Sequence, residues 1–237
     1  MGQLTTAAAI DSEGLTTREI NQRIHALIDE GAHEITIDNP RARHALAPAI
    51  KAENVTLDFR GPVGWYAAGM NDGPRIRVHG NAGWGLAECM MRGQVEVYGH
   101  AGSGAAASIR DGLVYVRGDT GARAGVSMKG GTLIVGGSVG YMTGFMLQAG
   151  RIIICGGAAD GLGDSMYAGE IFVAGPVESL GADAEEHPLT AEDKTTLAET
   201  LRPFGLDAGT IPFRKIESGH RLWNFSTKEP ELWRHAL

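Results

Sequence analysis

Gly102-Ser103-Gly104 with Ala107 follows a short apolar strand. Those are the residue types of a dinucleotide-binding turn, where glycines let backbone N–H groups approach a pyrophosphate. The spacing denies that chemistry. Only eight residues separate Gly104 from Leu113, where the next strand begins, so no crossover helix fits, and no Walker-type lysine follows these glycines. The eight histidines include no HExxH pair. His100 falls in a column with Asn81, Asp119 and Ser138, which reads as stacked polar turn residues rather than metal ligands. Ser165 follows Asp164 without a nucleophile-elbow pattern. Arg110 and Lys129 recur in the column Asp72, Met91, Arg110, Lys129, Gln148, Tyr167. They could hold a small anion, although a solvated face is the plainer reading. Cys89 and Cys155 form no CxxC pattern and read as reduced packing residues. No catalytic, cofactor-binding or metal-binding residue is assigned.

The glycines serve a period instead. Gly61, Gly80, Gly99, Gly118, Gly137, Gly156 and Gly175 stand 19 residues apart, each after a short apolar strand. A second column holds Gly93, Gly112, Gly131, Gly150 and Gly169, and a third Gly64, Gly83, Gly102, Gly121 and Gly140. A fixed period near 20 residues marks a solenoid. Nineteen residues are too few for a βαβ unit, which needs about 30, but suffice for one coil of a β-helix. The expected fold is an all-β core: a right-handed, single-stranded parallel β-helix of about seven 19-residue coils. A small α/β cap precedes it and a helical, aromatic tail follows. Coils stacked at roughly 4.8 Å would form a prism on the order of 30 Å long. The seven structural corner glycines are expected to take φ > 0.

Two inward columns run Leu57, Ile76, Val95, Val114, Leu133, Ile152, Ile171 and Phe59, Val78, Val97, Val116, Val135, Ile154, Val173. Met90, Ile109, Met128, Leu147 and Met166 make another apolar row, and Ala68, Ala87, Ala106, Gly125, Gly144 and Gly163 a small one. Between the core columns, the outward position reads Asp58, Arg77, Glu96, Tyr115, Ile134, Ile153, Phe172. The early coils should face water there. The later ones should be covered, by the chain's own tail or by another subunit.

The ends are less regular. Residues up to Ile10 read as a frayed terminus. Thr16 and Glu19 form a capping box before Ile20, Ile24, Leu27 and Ile28, and Gly31 ends that helix. A strand over Glu34–Asp38 and a short helical stretch near Ala42–Ile50 complete a cap over residues 1–54. The β-helix takes 55–183, and a helix-and-strap segment 184–237. A helix is expected from Thr190 to about Leu201. The tail supplies Phe204, Phe213, Trp223, Phe225 and Trp233. Trp223 or Phe225 is expected to strap the outer apolar row, with a partner dock as the rival reading.

With 237 residues and 43% hydrophobic content, the chain can bury a full core. A net charge of −7 without a basic run speaks against nucleic acid. No signal pattern appears and no apolar run approaches 18 residues, so a soluble cytoplasmic protein with no membrane contact is expected.

The glycine grid carries a family resemblance. Coils such as Gly118-Asp-Thr-Gly121-Ala-Arg-Ala-Gly125, followed by Lys129-Gly-Gly131-Thr-Leu-Ile-Val135, resemble the GXGXG domain that ends the large subunit of bacterial glutamate synthase. The C subunits of formylmethanofuran dehydrogenase and of the formyltransferase/hydrolase complex are similar. The likeness runs from about Thr16 to Ala182. Arg18-Glu-Ile-Asn21, Ala68-Gly-Met-Asn-Asp-Gly73, Met128-Lys-Gly-Gly131, Gly144-Phe-Met146, Gly163-Asp-Ser-Met-Tyr167, Ser179-Leu-Gly-Ala-Asp183 and Leu222-Trp-Asn-Phe225 resemble the stand-alone B subunits of N-methylglutamate synthases. That resemblance implies a non-catalytic scaffold in a hetero-oligomer. Its partners would be a glutamine-amidotransferase-like subunit and an FMN-dependent glutamate-synthase-like subunit. FMN and an iron–sulfur cluster are implied in the partner, and no cofactor in this chain. A formylmethanofuran-type C subunit, or a stand-alone glutamate synthase GXGXG subunit, is the alternative.

Overall fold

The computed structural model describes residues 6–222. Their core is a β-solenoid of about seven turns, mostly parallel, with two α-helices. Strands β1 (Thr6–Asp11), β2 (Ala32–Asp38), β3 (Thr56–Arg60), β4 (Asp72–Val78), β5 (Arg92–Val97), β6 (Leu113–Val116), β7 (Lys129–Val135), β8 (Ala149–Ile154) and β9 (Glu170–Val173) follow one another in parallel. Strand β10 (Ala184–His187) and strand β11 (Arg214–Ser218) close the far end, and β11 runs antiparallel between β9 and β10. Helix α1 (Thr17–Asp29) lies near the first end, and α2 (Ala191–Leu201) lies on the outer face.

Register follows the period. Leu57 pairs with Ile76, Ile76 with Val95, and so on to Ile171, so like side chains stack along the axis. Both inward columns and the Met90–Met166 row are buried. Strand alternation sends the side chains of the two columns to one face, where neighbouring coils cover them.

A second wall is a row of single bridges, Val63 to Ala82 to Ala101 to Thr120 to Val139 to Ala158 to Val177. The third wall is unlike a strand. Tyr66, Ala68 and Met70 all have positive φ, between 58° and 59°. The N–H groups of Tyr66 and Met70 donate forward to Trp84 and Glu88 at 2.7 and 2.8 Å, whereas Ala68 donates back to Leu46 at 2.9 Å. Alternate left-handed residues thus turn successive N–H groups to opposite neighbours. The small column belongs here: Ala68, Ala87, Ala106, Gly125, Gly144 and Gly163 all have positive φ.

The column expected to hold the left-handed corners is a different kind of site. Of Gly61, Gly80, Gly99, Gly118, Gly137, Gly156 and Gly175, only Gly61 has positive φ. The others are glycine because the coil beneath is too close. A Cβ on Gly156 would lie 2.6 Å from the Gly137 carbonyl. Of the three glycine columns, it is the second whose members are all left-handed, as Gly150 is at φ 95°.

The cap also departs from its reading. Ile10 is buried and β1 pairs with β2, so the first residues described are ordered strand rather than a frayed end. The stretch near Ala42–Ile50 is not helical. Ala45, Ala47 and Ala49 have positive φ, and Ala45 and Ala49 donate to Trp65 and Gly69 of the next coil at 2.7 and 2.8 Å. It is a first left-handed wall. Asn21 of α1 closes that wall, donating to Ala45 at 2.8 Å and accepting from Ala47 at 2.9 Å. The Thr16–Glu19 capping box holds as expected, with Ile20 and Ile24 buried.

On the outer face, Tyr115, Ile134, Ile153 and Phe172 are buried against Leu197, Leu201 and Phe213, with Phe204 packed alongside. The chain therefore covers its own row, but with α2 and the segment after it. Trp223 and Phe225, expected to be the strap, lie outside the described residues, as does Trp233. Glu96 was expected to face water. It is buried, and Arg75, Gln94 and Tyr98 donate to it at 2.7, 3.1 and 2.9 Å.

Candidate functional site

The side chains singled out for chemistry serve the stack. Asn81 Oδ1 accepts the His100 N–H at 2.9 Å, His100 Nδ1 that of Asp119 at 2.9 Å, Asp119 Oδ1 that of Ser138 at 2.8 Å, and Ser138 Oγ that of Gly157 at 3.0 Å. This column is a ladder of turn acceptors, each holding the coil above. Gly102-Ser103-Gly104 lies in the turns leading into the left-handed wall, with no helix behind it. Ser165 donates to its neighbour Asp164 at 2.8 Å. Arg110 and Lys129 are both exposed. Cys155 is half-buried and burial pushes its thiol up to about 11, but Cys89 is exposed and is no packing residue. Among the described residues no group of three or more His, Cys, Asp or Glu could hold a metal ion. Among the described residues no helix is long and apolar enough to cross a membrane.

The surface offers a different feature. Trp65, Tyr66, Met70, Trp84 and Met91 are between 45% and 57% exposed, although they sit on adjacent, hydrogen-bonded coils. His44, Trp65 and Trp84 stack in a ladder, with ring centroids 4.6 and 5.4 Å apart and planes within 16°. The period explains the stack. Each tryptophan follows a third-column glycine, Gly64 or Gly83, and its ring leans over the corresponding glycine of the next coil, Gly83 or Gly102, where a Cβ would collide with it. Further along, the same position holds Ser103 and Ala122, so the ladder ends at Trp84. Half-exposed side chains of this size present on the order of 500 Å² of apolar surface, at the upper end of what a solitary domain usually shows. The stack also fixes the tryptophans in advance, which lowers the ordering cost of any contact made through them. This face carries no chemical motif in the sequence. Two tryptophans 19 residues apart, both behind glycine, were the available signal.

Fold and surface together define a class: a parallel β-solenoid whose polar columns hold its coils together and whose exposed aromatic ladder is available to another surface. The chain matches the family model described as GXGXG motif over residues 36–202 and belongs to that family. It is also 41% identical over 75 residues to Protein GlxC of Rhizobium meliloti (strain 1021), a stretch covering 31% of this chain and 32% of that protein. The aligned part thus spans about a third of that relative's length.

Proposed function

We propose that this chain is a structural subunit of a glutamate-synthase-like enzyme complex, specifically an N-methylglutamate synthase that converts methylamine and glutamate to N-methylglutamate and ammonia. It would hold a glutamine-amidotransferase-like subunit and an FMN-dependent subunit, which also carries an iron–sulfur cluster, in fixed relation. The observation that carries this reading is the exposed, pre-stacked Trp65–Trp84 ladder on a GXGXG solenoid. Rigid, half-exposed aromatic side chains are the usual anchors of protein interfaces. Reactive amine released at one site and used at another is kept from solvent when the sites are held together, because its effective concentration stays high.

The test is reconstitution of the complex with and without this chain, and with the Trp84→Ala variant. Without the chain each half-reaction should persist while the coupled reaction is lost, and Trp84→Ala should weaken assembly at least tenfold. Full coupled turnover in its absence would end the scaffold reading. Molybdopterin- or formyltransferase-type partners in the purified complex would end the choice of N-methylglutamate synthase.

A further inference from the structure

Trp65, Trp84, Ser103, Ala122 and Tyr141 occupy one position in five successive coils. The aromatic row therefore stops for two coils and then resumes. Trp84 is 57% exposed and Tyr141 51%, while Ser103 and Ala122 between them are small and half-buried. Trp84 and Tyr141 are three coils apart, which at roughly 4.8 Å per coil is roughly 14 Å. An α-helix with its side chains measures about 10–12 Å across. The floor between the two rings stays low, since Gly104 and the buried Ala107 follow Ser103. Arg123 does not stand in the notch. Its guanidinium lies 5.9 Å from the Phe145 ring centre, on the Tyr141 side. At the other end of the same two coils stand Arg110 and Lys129, both exposed. Basic side chains in other coils have carboxylate partners: Arg92 has Asp72 and Glu53, and Arg151 has Glu170. Among the described residues Arg110 and Lys129 have none. Lys129 reaches only the Ser127 carbonyl, at 3.4 Å, and Asp111 accepts the Gly112 N–H at 2.7 Å.

We propose that this notch seats an amphipathic α-helix of a partner protein, lying along the coils of Ser103 and Ala122, with carboxylates in its last turn over Arg110 and Lys129. Width, floor and charge agree on that occupant. An extended strand, about 5 Å wide, fills less than half of the gap. A flat surface, including the same wall of a second copy, rests on Trp84 and Tyr141 and leaves the small floor unfilled. A helix fills the gap, touches the floor closely and buries both rings on its flanks, the arrangement of a helix laid in a groove. The macrodipole places partial negative charge at the helix C-terminus. Arg110 and Lys129 favour that end, together with its carboxylates, and so set the direction of the helix. The inference does not depend on which complex the chain serves.

The probe is a fluorescein-labelled, hydrocarbon-stapled helical peptide of about 14 residues, with alanine and leucine along one face and glutamates in its last turn. Its anisotropy is followed as the whole chain is added. The wild type should bind it saturably. Ser103→Trp combined with Ala122→Trp fills the notch and should weaken binding about tenfold or more at an unchanged melting temperature. Gly121 and Gly140, which face these two positions, leave the new rings the room that Gly83 and Gly102 leave Trp65 and Trp84. A face that binds through apolar area alone would bind the peptide more tightly after this change, which would overturn the inference. Arg110→Glu with Lys129→Glu should lose the glutamate-ended peptide and gain a lysine-ended one, a second readout should the filled variant fail to fold. No binding by the wild type, or binding indifferent to both pairs of substitutions, would also overturn it. Binding seen only with Trp223→Ala and Trp233→Ala would give the notch to this chain's own residues 223–237. A wild-type dimer abolished by the filled variant would give it to a second copy. Either result rules out the partner helix.

Discussion

Lys215 Nζ lies 3.1 Å from Asp193 Oδ1, joining strand β11 to the first turn of α2 beneath the outer face. The same ammonium reaches Glu170 at 2.7 Å and Glu217 at 3.1 Å and sits 5.8 Å from the Phe172 ring centre. Both Lys215 and Asp193 are buried. Burial by itself would lower the Lys215 pKa, but the carboxylates around it raise it well above the ordinary lysine value. For Asp193, burial opposes ionisation. The Thr190 N–H and hydroxyl and the Lys215 ammonium outweigh burial and hold the carboxyl below its usual range. Glu170 is lowered in the same way, with Lys215 and Arg151 outweighing its burial. The segment that covers Ile134, Ile153 and Phe172 is thus locked by a charge cluster as well as by apolar packing.

A pH dependence follows. Carboxylates whose pKa is depressed by folding stabilise the native state above their unfolded pKa, and that contribution is lost as pH falls through the folded value. Melting temperature should therefore drop on acidification below about pH 4. Lys215→Met should strongly destabilise the protein at pH 7, because buried carboxylates lose their partner. Its deficit against wild type should shrink as pH falls and those carboxyls protonate. Melting curves at pH 7 and pH 4 check this; a deficit independent of pH would mean that packing, not charge, accounts for the effect.

The cover itself can be removed in steps. Truncation after Leu189 should expose Tyr115, Ile134, Ile153 and Phe172 and give an aggregating protein, since α2 and Phe204 lie on that row. Truncation after Leu222 should leave the row covered and the protein monodisperse by light scattering at low concentration. Within the cover, Leu201→Ala should cost about 2–5 kcal/mol by denaturant unfolding, because its side chain is fully buried.

Two glycines separate backbone conformation from close approach. Gly205 has φ 71° with nothing within 4 Å of an added Cβ, so Gly205→Ala should cost only about 1 kcal/mol. Gly156 has no positive φ, yet its Cβ would meet the Gly137 backbone at 2.6 Å. Gly156→Ala must push coils apart and should cost about 3 kcal/mol or more. Chemical denaturation of the two variants gives the comparison, and equal costs would contradict the close-approach account.

The two cysteines should differ in reactivity. Cys89 is exposed, whereas Cys155 is half-buried with a thiol raised to about 11 by burial. A thiol reagent at pH 8 should modify one site quickly, and Cys89→Ser should abolish that fast phase. Rapid labelling that persists in the variant would place Cys155 in a more open setting.

The sequence by itself determined the solenoid. A 19-residue repeat with apolar positions two apart admits one stacking register, because a slip of one residue would turn Leu57, Ile76 and their column out to water. Composition also determined α1 and α2, whose Thr16–Glu19 and Thr190–Asp193 capping boxes are local chemistry. What the tertiary structure alone decided were matters of distance between coils. Glycine in the sequence does not say whether it is needed for a positive φ or for room, and the Gly61–Gly175 column proved mostly the second. Alanines at 45, 47 and 49 look like helix formers, yet the hydrogen-bonding demand of the coil above sets them in alternating left-handed turns. In the chain Trp65 and Trp84 carry no motif beyond their 19-residue spacing behind Gly64 and Gly83. Only the stacking of coils lines them up with His44 on the outside, where solvent and neighbouring surfaces can reach them.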